Sequence, residues 1–185
     1  MTVLAIDPGA KGAAVLVEGE RVLAWWAWTL LRRTGGEVYR LRRSTPTPDE
    51  AEVPTLGVVG QRIGDAVLWV TDERALVVEG LFVPRAGQGL NIQTHTALAE
   101  SAGWLMGGLG LGVPVARPLA SVWRAAVLSK ARLDKDAAER LAVQATRWEE
   151  WPGDPLARLS GEELGACAEA RLMARWWLTC GRKAA

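Results

Sequence analysis

Two apolar runs organise the first half of the chain, and each ends in a carboxylate. Thr2-Val3-Leu4-Ala5-Ile6 runs into Asp7, followed by Pro8-Gly9, and Ala75-Leu76-Val77-Val78 runs into Glu79, followed by Gly80. Apolar runs of this length, rich in β-branched residues and stopped by Gly or Pro, read as buried strands. Gly9 to Gly12 reads as a tight turn and Ala13 to Val17 as a second strand. Gly19-Glu20 turns the chain into a third strand from Val22 that extends through Arg33, and Gly35-Gly36 is a hairpin loop from which Glu37 to Arg43 returns. Ser44 to Pro54, with Pro46, Pro48 and Pro54 among acids, reads as a loop.

The period then changes. Leu56, Val59, Ile63, Ala66, Val67 and Val70 mark a helix over 56–70, and Ala75 to Glu79 is the next strand, parallel to the first. Gly80 to Gly89 is a loop, and Asn91 to Leu109 is a helix with several small residues, suited to close approach to the sheet or to a partner subunit. Val113 to Ala116 is a short strand. Ser121 caps a helix through Leu128, Asp134 caps another from Lys135 to about Trp148, and Glu162 to about Cys180 is the last helix after a loop over 151–160. The pattern predicts an α/β fold with a mixed five-stranded sheet, three antiparallel strands and then parallel ones, flanked by helices. A single domain is expected over 1–185, with a basic hairpin extension at about 25–43.

Composition narrows the class. Of the 185 residues, 49% are apolar and 23% charged, which is ordinary for a globular domain. No apolar run is long enough to span a membrane, and no basic segment precedes the first strand, so a cytoplasmic protein of a bacterial or phage-infected cell is expected. Cys167 and Cys180, thirteen positions apart, fit neither a zinc site nor a disulfide framework. Ten tryptophans against one Phe and one Tyr point to large aromatic core or interface residues. A net charge of +1 conceals clustering: Arg32, Arg33, Arg40, Arg42 and Arg43 crowd around Tyr39, and Arg124, Lys130, Arg132 and Lys135 form a second group. The clusters suit either phosphate binding or a solvated surface of scattered ion pairs.

The two carboxylates carry the chemistry. A charge at the end of a buried strand is costly unless compensated, and two at one sheet edge repel unless a cation lies between them. Carboxylates are hard oxygen ligands for Mg²⁺ or Mn²⁺, and two such ions about 4 Å apart clamp a phosphodiester, one activating water and the other stabilising the leaving oxygen. Read alone, Asp7 is equally a turn aspartate before Pro-Gly.

Ala5-Ile6-Asp7-Pro8-Gly9 resembles the opening motif of RuvC-type Holliday-junction resolvases, and Val78-Glu79-Gly80-Leu81-Phe82-Val83 resembles their second motif. The order of the later elements is similar over most of the chain. The resemblance implies an RNase H-like fold and a homodimeric, Mg²⁺- or Mn²⁺-dependent endonuclease with two ions per site. Its substrates would be four-way and other branched DNA, cut symmetrically as twofold symmetry allows. It implies Asp7 as the bridging ligand, with Glu79 and Glu169 as the other catalytic metal ligands. The family's remaining acidic position falls on Ala166. Glu162, seven residues before Glu169, or Glu163 stands in for it, or the site works with three acids, or it binds without cutting, or Ala166 is an introduced substitution. The resemblance also implies Phe82 as an aromatic wedge and DNA contacts by Arg124 and Lys135. By position in the chain, Lys11 follows the Asp7 turn within reach of a phosphate, and Arg85, Gln88 and Asn91, in or just after the 80–89 loop, are further candidate DNA contacts. Each has an ordinary alternative in packing or solvation, as does His95. A phage or mobile-element resolvase fits the divergence. The rival readings are a junction-binding protein impaired in cleavage, an RNase H-type nuclease on RNA–DNA hybrids, and an actin-like ATPase, for which a second phosphate loop is missing.

Overall fold

The computed structural model describes residues 1–44, 49–67, 69–80, 92–113, 115–128, 135–147 and 149–181, without the side chains of 92–95, 97, 98 and 135. The strands are β1 (Thr2–Asp7), β2 (Lys11–Glu18), β3 (Arg21–Arg33), β4 (Gly36–Arg43), β5 (Asp49–Val53), β6 (Arg74–Val78) and β7 (Val115–Ala116). The helices are α1 (Leu56–Ala66), α2 (Ile92–Leu109), α3 (Ala120–Leu128), α4 (Lys135–Thr146), α5 (Pro155–Arg158) and α6 (Gly161–Thr179). One sheet runs in the order β5-β4-β3-β2-β1-β6-β7. Strands β1 to β5 pair antiparallel, and β6 and β7 add parallel to β1. This mixed sheet flanked by helices is the arrangement that the RNase H-like resemblance implies.

The sheet has seven strands where five were expected. The extra pairing includes β5, inside the stretch read as a loop. Its residues alternate toward β4 so that Glu50 faces Arg42 and Glu52 faces Arg40. Cross-strand charge pairs stabilise an edge strand that has little apolar content for a sequence pattern to detect.

Strand alternation splits the core into two layers. Val3, Ala5, Ala13, Val15, Trp25, Ala75 and Val77 pack beneath α6 with Trp123 of α3 and Ala142 of α4. Leu4, Ile6, Ala14, Leu16, Trp26, Trp28, Leu76 and Val78 pack on the other face against Leu56, Val59 and Ile63 of α1 and Leu105 and Leu109 of α2. Trp25, Trp26 and Trp28 are wholly buried, so each is a core residue whose truncation to Ala costs roughly 3–5 kcal/mol. The small residues of α2 serve α1. A Cβ at Gly60 would lie 2.2 Å from the Leu105 carbonyl oxygen, and one at Gly108 would lie 2.0 Å from that of Gly57.

Helix α6 crosses β1, β2 and β3. A capping box starts it: the Ser160 hydroxyl accepts from the Glu163 N–H, and the Glu163 carboxylate accepts from the Ser160 N–H. Farther along, the wholly buried Arg171 donates to Glu149 at 2.5 Å and to the Glu20 carbonyl at 2.9 Å. The first turn is thereby capped, and the middle of the helix is tied to the β2–β3 turn and to the segment after α4. No helix among the described residues is long and apolar enough to cross a membrane.

Candidate functional site

Asp7 and Glu79 stand side by side. The parallel register pairs Ile6 with Val78, and the Glu79 N–H donates to the Ile6 carbonyl at 3.0 Å, carrying the pairing one step beyond the strand. Adjacent parallel partners face the same side. Asp7 continues the Val3–Ala5 row and Glu79 the Ala75–Val77 row, both of which lie under α6. Burial, and then the negative charges of Glu163 and Asp7, push the Cys167 thiol of α6 up.

The chain after each acid is held tightly. In the Asp7 turn, the Trp28 indole donates to the Gly9 carbonyl at 3.0 Å, and the Leu30 N–H donates to the Ala10 carbonyl at 2.9 Å. Gly12 makes this possible, because a Cβ there would sit 2.5 Å from both the Trp28 ring and the Asp7 carbonyl oxygen. After Glu79, the Gly80 N–H donates to the Pro118 carbonyl at 2.7 Å, and a Cβ at Gly80 would lie 2.7 Å from the Arg117 carbonyl oxygen. Both acids therefore sit on backbone that only glycine permits at the next close approach.

Glu169 approaches Glu79 from α6, 4% exposed. One guanidinium joins it to Glu79: Arg124 Nη2 is 2.6 Å from Glu169 Oε1 and 3.9 Å from Glu79 Oε1. Trp123, the preceding residue on α3, donates its indole N–H to the same Glu79 oxygen at 3.1 Å. Burial pushes the Glu169 carboxyl up to about 7; Arg124 opposes the shift, and the charges of Glu79 and Glu139 add to it. Among the described residues, no three acid, His or Cys side chains are gathered tightly enough to form a ligand set.

The remaining expected site residues fall in three places. Glu162 is exposed and pairs with Lys11 at the start of β2, so the stand-in carboxylate and the nearest basic residue engage each other on the rim. Ala166, one helical turn from both Glu162 and Glu169, is 3% exposed and part of the core beneath α6. Phe82 and Arg85, with Gln88 and Asn91, lie outside the described residues, as do the side chains of Lys135 and His95. Cys167 is buried and Cys180 exposed, both as free thiols.

Glu163, the alternative to Glu162 as a stand-in acid, is engaged with the outer strands of the sheet. It is wholly buried, 2.8 Å from the Thr29 hydroxyl and 2.8 Å from Arg42 Nη1, with Arg40 at 3.4 Å. Burial works against its charge, but hydrogen bonds from the Ser160 backbone, Thr29 and the Ser160 hydroxyl, with the charge of Arg42, hold its carboxyl below the usual range. Its spacing from Ser160, Ser160-x-x-Glu163, is that of a capping box. The basic cluster of the hairpin is similarly engaged: Arg32 pairs with Glu37, Arg33 with Glu52, Arg42 with Glu50 and Arg43 with Asp49. Those arginines form ion pairs within the chain, as the solvated-surface reading allowed.

The fold and site define an α/β protein in which Asp7 and Glu79 end neighbouring central strands, and in which a helix across the sheet carries Glu169, joined to Glu79 through Arg124. No protein-family model and no curated protein matches the chain. Among solved structures it is similar to a Thermus thermophilus RuvC structure, with 19% identity and a TM-score of 0.49, covering 98% of this chain and 97% of that one. It is also similar to T. thermophilus RuvC in complex with Holliday junction substrate, with 17% identity and a TM-score of 0.46 over the same shares.

Proposed function

We propose that this chain is a structure-specific endonuclease that nicks four-way and other branched DNA by hydrolysis assisted by Mg²⁺ or Mn²⁺. The observation that supports the reading is the alignment of Asp7 with Glu79 at the ends of neighbouring parallel strands, with the Arg124 guanidinium drawn between Glu79 and Glu169. The donors suit the ion: all three are hard carboxylate oxygens, and crowding of negative charge around a buried Glu169 favours an added cation. Asp7, Glu79 and Glu169 would hold it. Bound there, a pair of divalent ions would supply an activated water and charge to stabilise the leaving oxygen. Trp123 orients the Glu79 carboxylate, the glycine-tightened turn orients Asp7, and Lys11 and Arg124 provide positive charge for the phosphodiester. Phe82, Arg85 and Lys135 complete the DNA contacts by the sequence resemblance.

A homodimer suits a twofold junction. Its interface is assigned to α2, where Trp104 is 68% exposed beside Gly103 and Gly107, both of which face open space. The test of function is nicking of a synthetic four-way junction with Mg²⁺ or Mn²⁺, beside a linear duplex and an RNA–DNA hybrid. Preferential junction nicking, abolished by Asp7→Asn and by Glu79→Gln with binding retained, is the expected result. Normal cutting by both variants would remove these acids from the reaction, and preferential hybrid cleavage would replace the substrate.

Ala166 favours a second reading, a junction-binding protein impaired in cleavage. Under it the unaltered chain binds junctions without nicking, and Ala166→Asp, which adds a carboxylate one turn from Glu169, restores cutting. Full nicking by the unaltered chain excludes it.

A further inference from the structure

We propose that Arg124 is a tethered counter-ion, which holds Glu79 and Glu169 together in the metal-free protein and which a divalent cation must displace to reach them. The inference rests on the metal-dependent reading of the site.

Three features distinguish it from a permanent structural bridge. First, a single nitrogen, Nη2, spans two acids, 2.6 Å from one and 3.9 Å from the other. A structural arginine usually engages one carboxylate through two parallel hydrogen bonds, and that fork is absent from the contacts Arg124 makes with either acid. Second, the buried Arg124 Nε has no hydrogen-bond partner among the described residues. The charged group is thus anchored by one end. Third, the acids would still be oriented if Arg124 withdrew. Glu79 accepts from the Trp123 indole, and Glu169 lies on α6 two residues before Arg171, which is held by Glu149 and the Glu20 carbonyl.

The need for a counter-ion is physical. Glu169 is 4% exposed and the Glu79 side chain 22% exposed, so water screens their mutual repulsion poorly. A positive charge carried by the chain keeps the pair tolerable until an ion arrives. The guanidinium is stacked on Trp123, with 5.1 Å between its central carbon and the ring centroid, which gives it an aromatic surface to slide along when released. A doubly charged ion bound directly by carboxylate oxygens outcompetes one monovalent contact. The guanidinium and the ion therefore compete for the same oxygens.

A clamp and a counter-ion predict opposite effects of removing the guanidinium. A clamp that gathers the acids would weaken ion binding when lost. A competitor would strengthen it. The experiment is calorimetric titration of Mn²⁺ into the full chain without DNA, for the unaltered protein and for Arg124→Gln, Arg124→Lys, Glu79→Gln and Glu169→Gln, with melting curves in EDTA and in Mn²⁺. Arg124→Gln is expected to bind Mn²⁺ about 10-fold more tightly, the worth of one charge-assisted hydrogen bond. Arg124→Lys, which keeps the charge, is expected to bind less tightly than Arg124→Gln. In EDTA, Arg124→Gln should melt below the unaltered chain, and Mn²⁺ should raise its melting temperature by the larger amount.

Equal or weaker Mn²⁺ binding by Arg124→Gln overturns the inference and leaves the metal site standing. Absence of Mn²⁺ binding that Glu79→Gln and Glu169→Gln diminish overturns the metal reading and this inference with it. An Arg124→Gln chain unfolded in EDTA that regains its circular dichroism with Mn²⁺ supports the exchange. One that stays unfolded in Mn²⁺ overturns it, since the ion then fails to replace the guanidinium.

Discussion

Glu163, in the first turn of α6, accepts a hydrogen bond of 2.8 Å from Arg42 Nη1 on β4, and the acid is wholly buried. The contact ties the helix that carries Glu169 to the outer half of the sheet. Glu163→Gln leaves Arg40 and Arg42 facing an uncharged amide. Breaking such a pair from one side costs about 3–5 kcal/mol, less here because Arg42 retains some water access. Urea unfolding at neutral pH is expected to show a loss of at least about 2 kcal/mol. Because the Glu163 carboxyl lies below its ordinary value of 4.5, its contribution is present above that value and is lost as the pH falls through the folded-state value. The variant should therefore lose less stability than the unaltered chain on acidification below 4.5.

Glu169 has the opposite sign. Its carboxyl is raised from 4.5 to about 7, so between those values the folded metal-free chain binds more protons than the unfolded one. Stability in EDTA should fall as the pH rises from about 4.5 to 7, by a few kcal/mol at most, and this component should level off above 7. Denaturant midpoints across this range check it. Glu169→Gln should flatten the slope, and an unchanged slope would assign the dependence to other groups.

The Asp7 turn depends on a missing side chain. Gly12→Ala places a methyl group 2.5 Å from the Trp28 ring, and overpacking of this kind costs about 1–3 kcal/mol. The ring must move, and with it the indole that holds the Gly9 carbonyl. Loss of nicking larger than the loss of stability is expected for Gly12→Ala. Trp28→Phe, which removes the N–H and leaves a cavity where the fused ring was wholly buried, should likewise lower both stability and nicking.

Trp104 tests the subunit assignment. Its side chain is the most exposed large hydrophobic one among the described residues, and it lies at the edge of the face by which α2 packs on Gly57 of α1. Trp104→Glu is expected to leave the melting temperature within a few degrees in dilute solution. It should shift sedimentation from dimer to monomer. A monomeric unaltered chain, or a dimer that survives the substitution, removes α2 from the interface.

The elements were legible where apolar periodicity was strong. Strands β1, β2, β3 and β6, the parallel pairing of β1 with β6, and helices α2 and α6 stand within a few residues of the ranges read from the pattern. The 56–70 helix stops at Ala66, and the Pro-rich acidic stretch yields strand β5. Both departures arise because long-range partners, not local propensity, set where these elements end or form. The placement of Asp7 beside Glu79 was legible for the same reason as the strands: each acid terminates a buried run, and parallel neighbours align their ends.

By itself the sequence determined the alternation of buried and exposed positions, the ends of the main strands, and the kinds of oxygen donor available at positions 7, 79 and 169. These follow from local constraints: side-chain period, turn residues and the cost of burying charge. Only the tertiary structure decided which charges meet. It brought Arg124 between Glu79 and Glu169, turned Glu162 toward Lys11, and buried Glu163 among Thr29, Arg40 and Arg42. Those pairings join residues that are remote in the chain, and their energies depend on distance and solvent exposure, which exist only once helix and sheet have packed.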